Sequence, residues 1–339
     1  MRHGRHAVTI YEVAGRAGVS IATVSRALRG SRQVAPATRQ RVEAVAAELR
    51  FRPSRLGRSL AEGQHAANGI VFPDLSGPYY AEVVLGYEEV AAELGRSVLI
   101  LATHDRPDPV AKVLDLAGRV DGMAILGRTV DDGVVARIAD SGLPLVLLAR
   151  PPVHPADTIT TDNDGSAREL VQHLLGHGYR RFAFVGSPDE SPDVTGRYNA
   201  FRDCLQAAGL VPPQPVESAF NVAAGYAAAR DTLTDRQQRP DALVCANDEI
   251  ALGALEAAAE AGLAVPGDVA VTGWDDVMAA RYAGLTTVRQ PMRELGATAA
   301  TWLQERITGS RVPVRRQVLR TQLVTRSSCG FHEDVEVKE

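Results

Sequence analysis

Residues 19–30 read VSIATVSRALRG: no acidic side chain, a serine one place ahead of an apolar-periodic run, and arginines at 26 and 29 around a closing turn. What surrounds them decides the fold. Upstream, TIYEVAGRA (9–17) sets Ile10, Val13, Ala14 and Ala17 on one helical face behind Thr9, a capping residue type. Gly18 can leave that helix in a left-handed conformation, and Ser20 can cap the next. Downstream, Pro36 suits a first helical turn. The run 37–50 then turns Val42, Val45, Ala46 and Leu49 inward. Two helices across a tight glycine turn, braced by a third, describe a helix-turn-helix whose second helix reads DNA through its N-terminal residues.

Charge supports this reading. Residues 1–62 hold twelve arginines and four glutamates, a net +8, whereas the rest of the chain carries −12. A basic head on an acidic body localises contact with phosphate to the head. The segment 51–64, FRPSRLGRSLAEGQ, is a bridge too short for a stable isolated helix, and Gly57 weakens it by about 1 kcal/mol relative to alanine.

From about residue 68 the pattern changes. GIVF, SVLILAT, VDGMAIL, LPLVLLA, RFAFVG, DALVCAN and VAVTGWD are near-continuous apolar runs, as strands buried on both faces require. Amphipathic segments such as YYAEVVLGYEEVAAELG, GSARELVQHLLGHG, GRYNAFRDCLQAAG and DEIALGALEAAAEAG lie between them. The class is α/β with parallel sheets, long enough for two sheets. The N-terminus lacks an apolar signal region, and no apolar run is long enough to cross a bilayer. Cys204, Cys245 and Cys329 are odd in number and scattered, so they read as buried free thiols in a reducing, cytoplasmic setting. The end of the chain, EDVEVKE, reads as a disordered acidic tail.

In order and wording the chain resembles the lactose-repressor (LacI/GalR) family of bacterial transcription regulators. The resemblance runs from about residue 8 to 328. It is carried by VTIYEVAGRAGVSIATVSRAL, TRQRVEAVAAELRFRPSRLGRSL, LLGHGYRRFAFVG, CANDEIALGAL and GWDD followed by LTTVRQP. It implies an all-α helix-turn-helix head (1–52), a hinge helix and linker (53–65), and an α/β periplasmic-binding-protein-like core of two lobes (66–330), before the tail (331–339). Crossings between lobes are expected near Thr161, Gln290 and Leu323. They give an N-lobe of about 66–161 plus 291–322 and a C-lobe of about 162–289. The resemblance implies a homodimer, a tetramer remaining open, on a palindromic operator bent at its centre, with no cofactor, metal or membrane partner.

By position in the motif, Ile21 and Ala22 lie over bases, where they can meet only thymine methyls or act by shape. Core packing is the alternative for Ile21. Arg26 can grip guanine O6 and N7, or a phosphate; Thr23 and Ser25 suit phosphates. Thr9, Tyr11 and Ser20 complete the expected DNA-facing set. RLGRSL (55–60) matches the family's hinge helix. The resemblance makes Leu60 the wedge that kinks the duplex from the minor groove, with packing on the core as its alternative, and gives Arg55 and Arg58 to phosphate or groove edge. Two departures, Ala35 where a capping serine is common and Gly57 for a more usual alanine, suggest a head that orders more fully on DNA.

The resemblance also implies an effector cleft between the lobes. Tyr79 and Tyr80 match an aromatic pair near the ligand, Arg197 a ligand-gripping arginine and Phe220 a ring-stacking position. Asn247 matches a polar contact, Asp275 an acceptor for hydroxyls, and Gln290 lies on a crossing strand. Asp275 and Asn247 could instead cap helices, and Tyr79 could simply be packed. Such a set suits a sugar or sugar derivative. Ala149 stands where many sugar-responsive relatives carry aspartate, and Arg150 beside it, if it reaches the cleft, favours an anionic ligand. His173 and His177, at a helix end before Gly178, read as structural or surface. A cytoplasmic solute-binding or sensor protein is the alternative to a repressor. An enzyme is disfavoured: there is no G-x-S-x-G elbow, Walker loop, GxGxxG after a strand or His/Cys metal spacing.

Overall fold

The computed structural model describes residues 8–51, 65–104 and 106–330. The chain divides into two compact units that part after His65. The hinge segment with Arg55, Arg58 and Leu60, and the acidic tail, lie outside the described residues.

The first unit contains α1 (Ile10–Ala17), α2 (Ile21–Leu28) and α3 (Pro36–Glu48). Thr9 and Glu12 close a reciprocal capping box on α1, the Glu12 carboxylate accepting from the Thr9 backbone N–H at 2.6 Å. Gly18 (φ 64°) supplies the left-handed turn, and the Ser20 hydroxyl accepts from Thr23 N–H at 3.2 Å to start α2. These turns converge the three helices on one small core of Val13, Ala14, Ala17, Val24, Ala27, Val34, Val42 and Ala46. α3 has Pro36 in its first turn but no side-chain cap, because Ala35 offers no acceptor.

The second unit is α/β. Its larger sheet has the order β10-β5-β4-β3-β1-β2, all neighbours parallel. The strands are β1 (Ala67–Phe72), β2 (Ser97–Ala102), β3 (Gly122–Leu126), β4 (Leu145–Leu148), β5 (Asp157–Thr161) and β10 (Arg316–Leu319). Alternation along β1 explains why the strand reads as one apolar run. Ile70 and Phe72 face α4 (Pro78–Glu93) and α12 (Met292–Ile307), while Val71 faces α5 (Pro109–Ala117) and α6 (Asp132–Asp140). α4 and α12 approach closely enough that a Cβ on Gly86 would run into the Arg293 carbonyl, and one on Gly296 into that of Val83.

The smaller lobe has the parallel order β6-β7-β8, from Phe182–Val185, Ala242–Cys245 and Ala270–Thr272. It is packed by α7 (Asn163–Gly176), α8 (Pro192–Ala207), α9 (Val222–Thr234) and α10 (Asp248–Glu260) around one core. The short α11 (Met278–Tyr282) follows β8. The chain passes between lobes between β5 and α7, between β9 (Thr287–Arg289) and α12, and between β10 and β11 (Gln322–Val324). β11 pairs antiparallel with β9, Leu323 opposite Val288. The returning β10 is pinned to β5 by Asp157, fully buried, whose carboxylate accepts from Arg306 at 2.6 and 2.9 Å and from Arg315 at 2.9 Å.

Candidate functional site

In the head, the residues that do not build the core are the ones expected to meet DNA. Tyr11 is 70% and Ile21 39% exposed, and Thr9, Ser20 and Ala22 are also exposed. Ile21 therefore stays out of the core, which Val24 and Ala27 fill from the other side of α2. Thr23, Ser25 and Arg26 are half-buried. Arg26 lies back along its own helix, Nε donating to the Ala22 carbonyl at 3.2 Å, and Arg29 does the same to Ser25. A single weak exposed bond of this kind gives way readily to a phosphate or a guanine at Arg26.

In the core unit, a cavity of about 290 Å³ opens between the lobes. Tyr79, Tyr80, Arg197, Phe220, Asn247, Asp275 and Gln290 all line it, although they come from six separate stretches of chain. Local chemistry explains each placement. Tyr79 and Tyr80 sit in the first turn of α4; their rings meet edge to face at 5.3 Å, and Tyr80 packs on Phe72 of β1 in the same manner. Asn247 caps α10, its side chain accepting from Ile250 N–H at 2.9 Å, and still borders the cavity. α11 has no side-chain cap; Asp248 accepts from the N–H of Val277, the residue before that helix, at 2.9 Å, and the Asp275 carboxylate is not used there. Asp275 instead accepts from Gln290 Nε2 at 2.6 Å, and Gln290 Oε1 accepts from the Thr161 hydroxyl at 2.9 Å.

That chain of bonds joins a cavity carboxylate to two of the three lobe crossings. The backbone there is unusual as well. Asp275 and Asp276 have φ of 115° and 58°, regions costly for residues other than glycine. Asp276 is held by Arg289 at 2.7 Å and Arg326 at 2.6 Å, from the segments that return through the crossings. Arg197 is nearly buried. It donates to Asn163 at 2.8 Å and to the Ala246 carbonyl at 2.7 Å, and its guanidinium lies over the Trp274 ring at 4.4 Å. Burial pushes the Asp275 carboxyl up to about 7, with Arg197 and Gln290 opposing the rise. Burial likewise raises Asp193 against the pull of Arg197.

Arg150 is the exception among the expected cleft residues. It is 1% exposed and absent from the cavity lining, with its guanidinium held by the Gly127 and Val130 carbonyls at 3.1 Å and by Asp132 at 2.5 Å. A buried guanidinium needs such partners, and the segment from the end of β3 to the start of α6 supplies them, so the Arg150 side chain turns into that loop rather than into the cavity. Arg150 therefore gives the cavity no positive charge with which to favour an anionic ligand, contrary to the expectation from its place beside Ala149. Sequence reasoning also missed Asp74, Glu190, Asp193, Asn221, Glu249, His104 and Arg128 in the lining. Asp193 had a signal, since it precedes Arg197 by one helical turn. Glu249 sits in the first turn of α10 and Glu190 ends a 3-10 turn, while Asp74, His104, Arg128 and Asn221 lie outside helices and strands, where periodicity gives no signal.

Residues 9–54 match the family model for bacterial regulatory proteins of the lacI family, and residues 171–329 match that for a periplasmic binding protein-like domain. The chain is 34% identical to the HTH-type transcriptional regulator CelR of Thermobifida fusca, over 96% of this chain and 99% of that protein. Among solved structures, the lac repressor dimer bound to operator and the anti-inducer ONPF superposes with a TM-score of 0.83 at 30% identity, covering 96% of this chain and 99% of that one. The CelR–cellobiose complex superposes with a TM-score of 0.71 at 33% identity, covering 95% and 99%. With a capped helix-turn-helix at its head and a two-lobed α/β core around a polar cavity, the chain belongs to the LacI family of bacterial regulatory proteins and is a DNA-binding transcriptional regulator.

Proposed function

We propose that the protein is a repressor that binds a palindromic operator as a homodimer and responds to a neutral, polyhydroxylated ligand, a sugar or close derivative, held in the cavity between its lobes. The observation that carries this reading is the Asp275–Gln290–Thr161 chain of hydrogen bonds, because a hydroxyl that engages Asp275 competes directly with a bond to the lobe crossings. A ligand that binds the two lobe arrangements unequally shifts their populations, and through them the spacing of two heads on DNA.

The lining supports a neutral ligand. Five carboxyl side chains, Asp74, Glu190, Asp193, Glu249 and Asp275, face two arginines, Arg128 and Arg197, with His104 beside them. That balance repels a phosphate or a carboxylate and offers acceptors to hydroxyl pairs, while Tyr79, Tyr80 and Phe220 give flat faces for a ring. The relative solved with cellobiose supports the same class. Leu85, Ile100, Met278 and Tyr282 are exposed apolar residues of the core that support a partner copy. Arg26 with Ile21 and Ala22 is assigned to base readout and Leu60 with Arg55 and Arg58 to the hinge contact. The role is regulatory rather than enzymatic, exercised in the cytoplasm where the operator lies.

Thermal unfolding of the full chain against a panel of neutral sugars, sugar phosphates and sugar acids tests the ligand class. A neutral sugar at a hundredfold excess over its Kd should stabilise by about 2.7 kcal/mol, and Asp275→Ala should remove that shift. Stabilisation by the anionic members alone would overturn the assignment.

A further inference from the structure

A second cluster of chemically able side chains lies on the smaller lobe, among residues that do not line the cavity. His173 is in the last turn of α7, His177 caps the same helix, and Cys329 ends the short 3-10 turn Ser327–Cys329. His173 Nε2 lies 3.4 Å from Cys329 Sγ. The two imidazoles meet edge to face with centroids 4.7 Å apart, and one donor atom from each of the three residues lies within 4.8 Å of the other two. Nothing in the spacing of the sequence announces this, since Cys329 is 156 residues from His173.

We propose that His173, His177 and Cys329 form a binding site for a thiophilic divalent cation, Zn²⁺ by the chemistry of its donors. Zn–N bonds of about 2.0–2.1 Å and a Zn–S bond of about 2.3 Å place N and S about 3.5 Å apart at a tetrahedral angle, close to the separation already present. Histidines four apart lie on one helical face, so one ion reaches both. Closing the widest gap takes roughly 1 Å of movement, which the exposed ring of His177 at the helix end supplies. Among the described residues no fourth His, Cys, Asp or Glu joins the cluster, which leaves one tetrahedral position for a further ligand. His332, three places further in sequence, lies outside them.

The surroundings hold the donors in place. The Tyr179 hydroxyl donates to the Cys329 carbonyl at 3.0 Å, and Ser328 bonds both Val271 O (2.6 Å) and Thr286 N–H (2.8 Å), which fixes the turn on the lobe's sheet. The Cys329 thiol donates to Thr286 Oγ1 at 3.0 Å. On binding, the S–H bond breaks, the sulfur lone pair forms the S–Zn bond, and the proton leaves to solvent; no oxidant or reductant takes part. The bound cation would tie the C-terminal turn, one strand beyond the last lobe crossing, to α7.

Co²⁺ is the probe, added to the reduced, tag-free full-length protein. We expect one Co²⁺ per chain with a thiolate-to-cobalt charge-transfer absorption in the near ultraviolet, displaced by stoichiometric Zn²⁺. His177→Ala, an exposed change that leaves the fold intact, should weaken Co²⁺ binding by at least about tenfold, the loss that changes behind a metal ligand already cause. Cys329→Ser should abolish the charge-transfer band. A folded wild-type protein without that band, a band that survives Cys329→Ser, or unchanged affinity in His177→Ala would each overturn the proposal.

Discussion

Asp275 concentrates the behaviour of the cleft in one side chain. Its folded-state carboxyl titrates near 7 because it is buried, whereas the unfolded chain loses that proton near the ordinary value of 3.8. The folded protein therefore holds a proton that the unfolded chain has released, and stability falls as pH rises from about 4 to about 7, then levels off. Asn at this position keeps an acceptor for Gln290 but never ionises. Asp275→Asn should thus gain in melting temperature over the wild type at about pH 8 and lose that advantage towards about pH 5. Parallel melting curves would contradict the assignment of the titration to this residue. The ionised form is also the better acceptor, which makes ligand affinity rise as the folded carboxyl ionises towards about pH 7.

At the scale of elements, α3 is one of the helices that start without a side-chain cap. Ala35 precedes Pro36 with φ −56° and ψ 140°, a backbone that a capping serine adopts without change, yet no side chain satisfies the first-turn N–H groups. Ala35→Ser should stabilise α3 by about 1 kcal/mol, read as roughly fivefold slower amide exchange along residues 38–46. Unchanged exchange would mean that water already serves those groups as well. How far the sequence could be read varies for a related reason. Strands such as β1, β3, β4, β6 and β7 are apolar because both faces are covered, and they were legible. β5 (DTITT) is almost as buried but built of threonines paired within the sheet, while β9 and β11 have only three residues each. Periodicity carries no signal for these, although the crossings they flank were placed through the resemblance. The third crossing falls just before β11, so Leu323 is already paired in the smaller lobe.

For the whole molecule, cleft residues gather from distant segments because three lobe crossings converge on them, and no local pattern encodes that convergence. The resemblance supplied Tyr79, Arg197 and Asp275; physical reading alone would have found an arginine one turn after Asp193 and little more. Arg150 shows the opposite limit, since adjacency to a cleft strand says nothing about which way a long side chain turns. The central claim is that the cavity reports to DNA through Asp275 and the crossings. It is tested most directly by the affinity of the full-length protein for an operator selected from randomised palindromic duplexes, measured at fixed salt with and without the sugar that stabilises it most. The account predicts a change of at least about fivefold in operator affinity for the wild type, and no change for Asp275→Ala, which keeps its ligand-free affinity. An operator affinity that the bound sugar leaves unmoved in the wild type would contradict it.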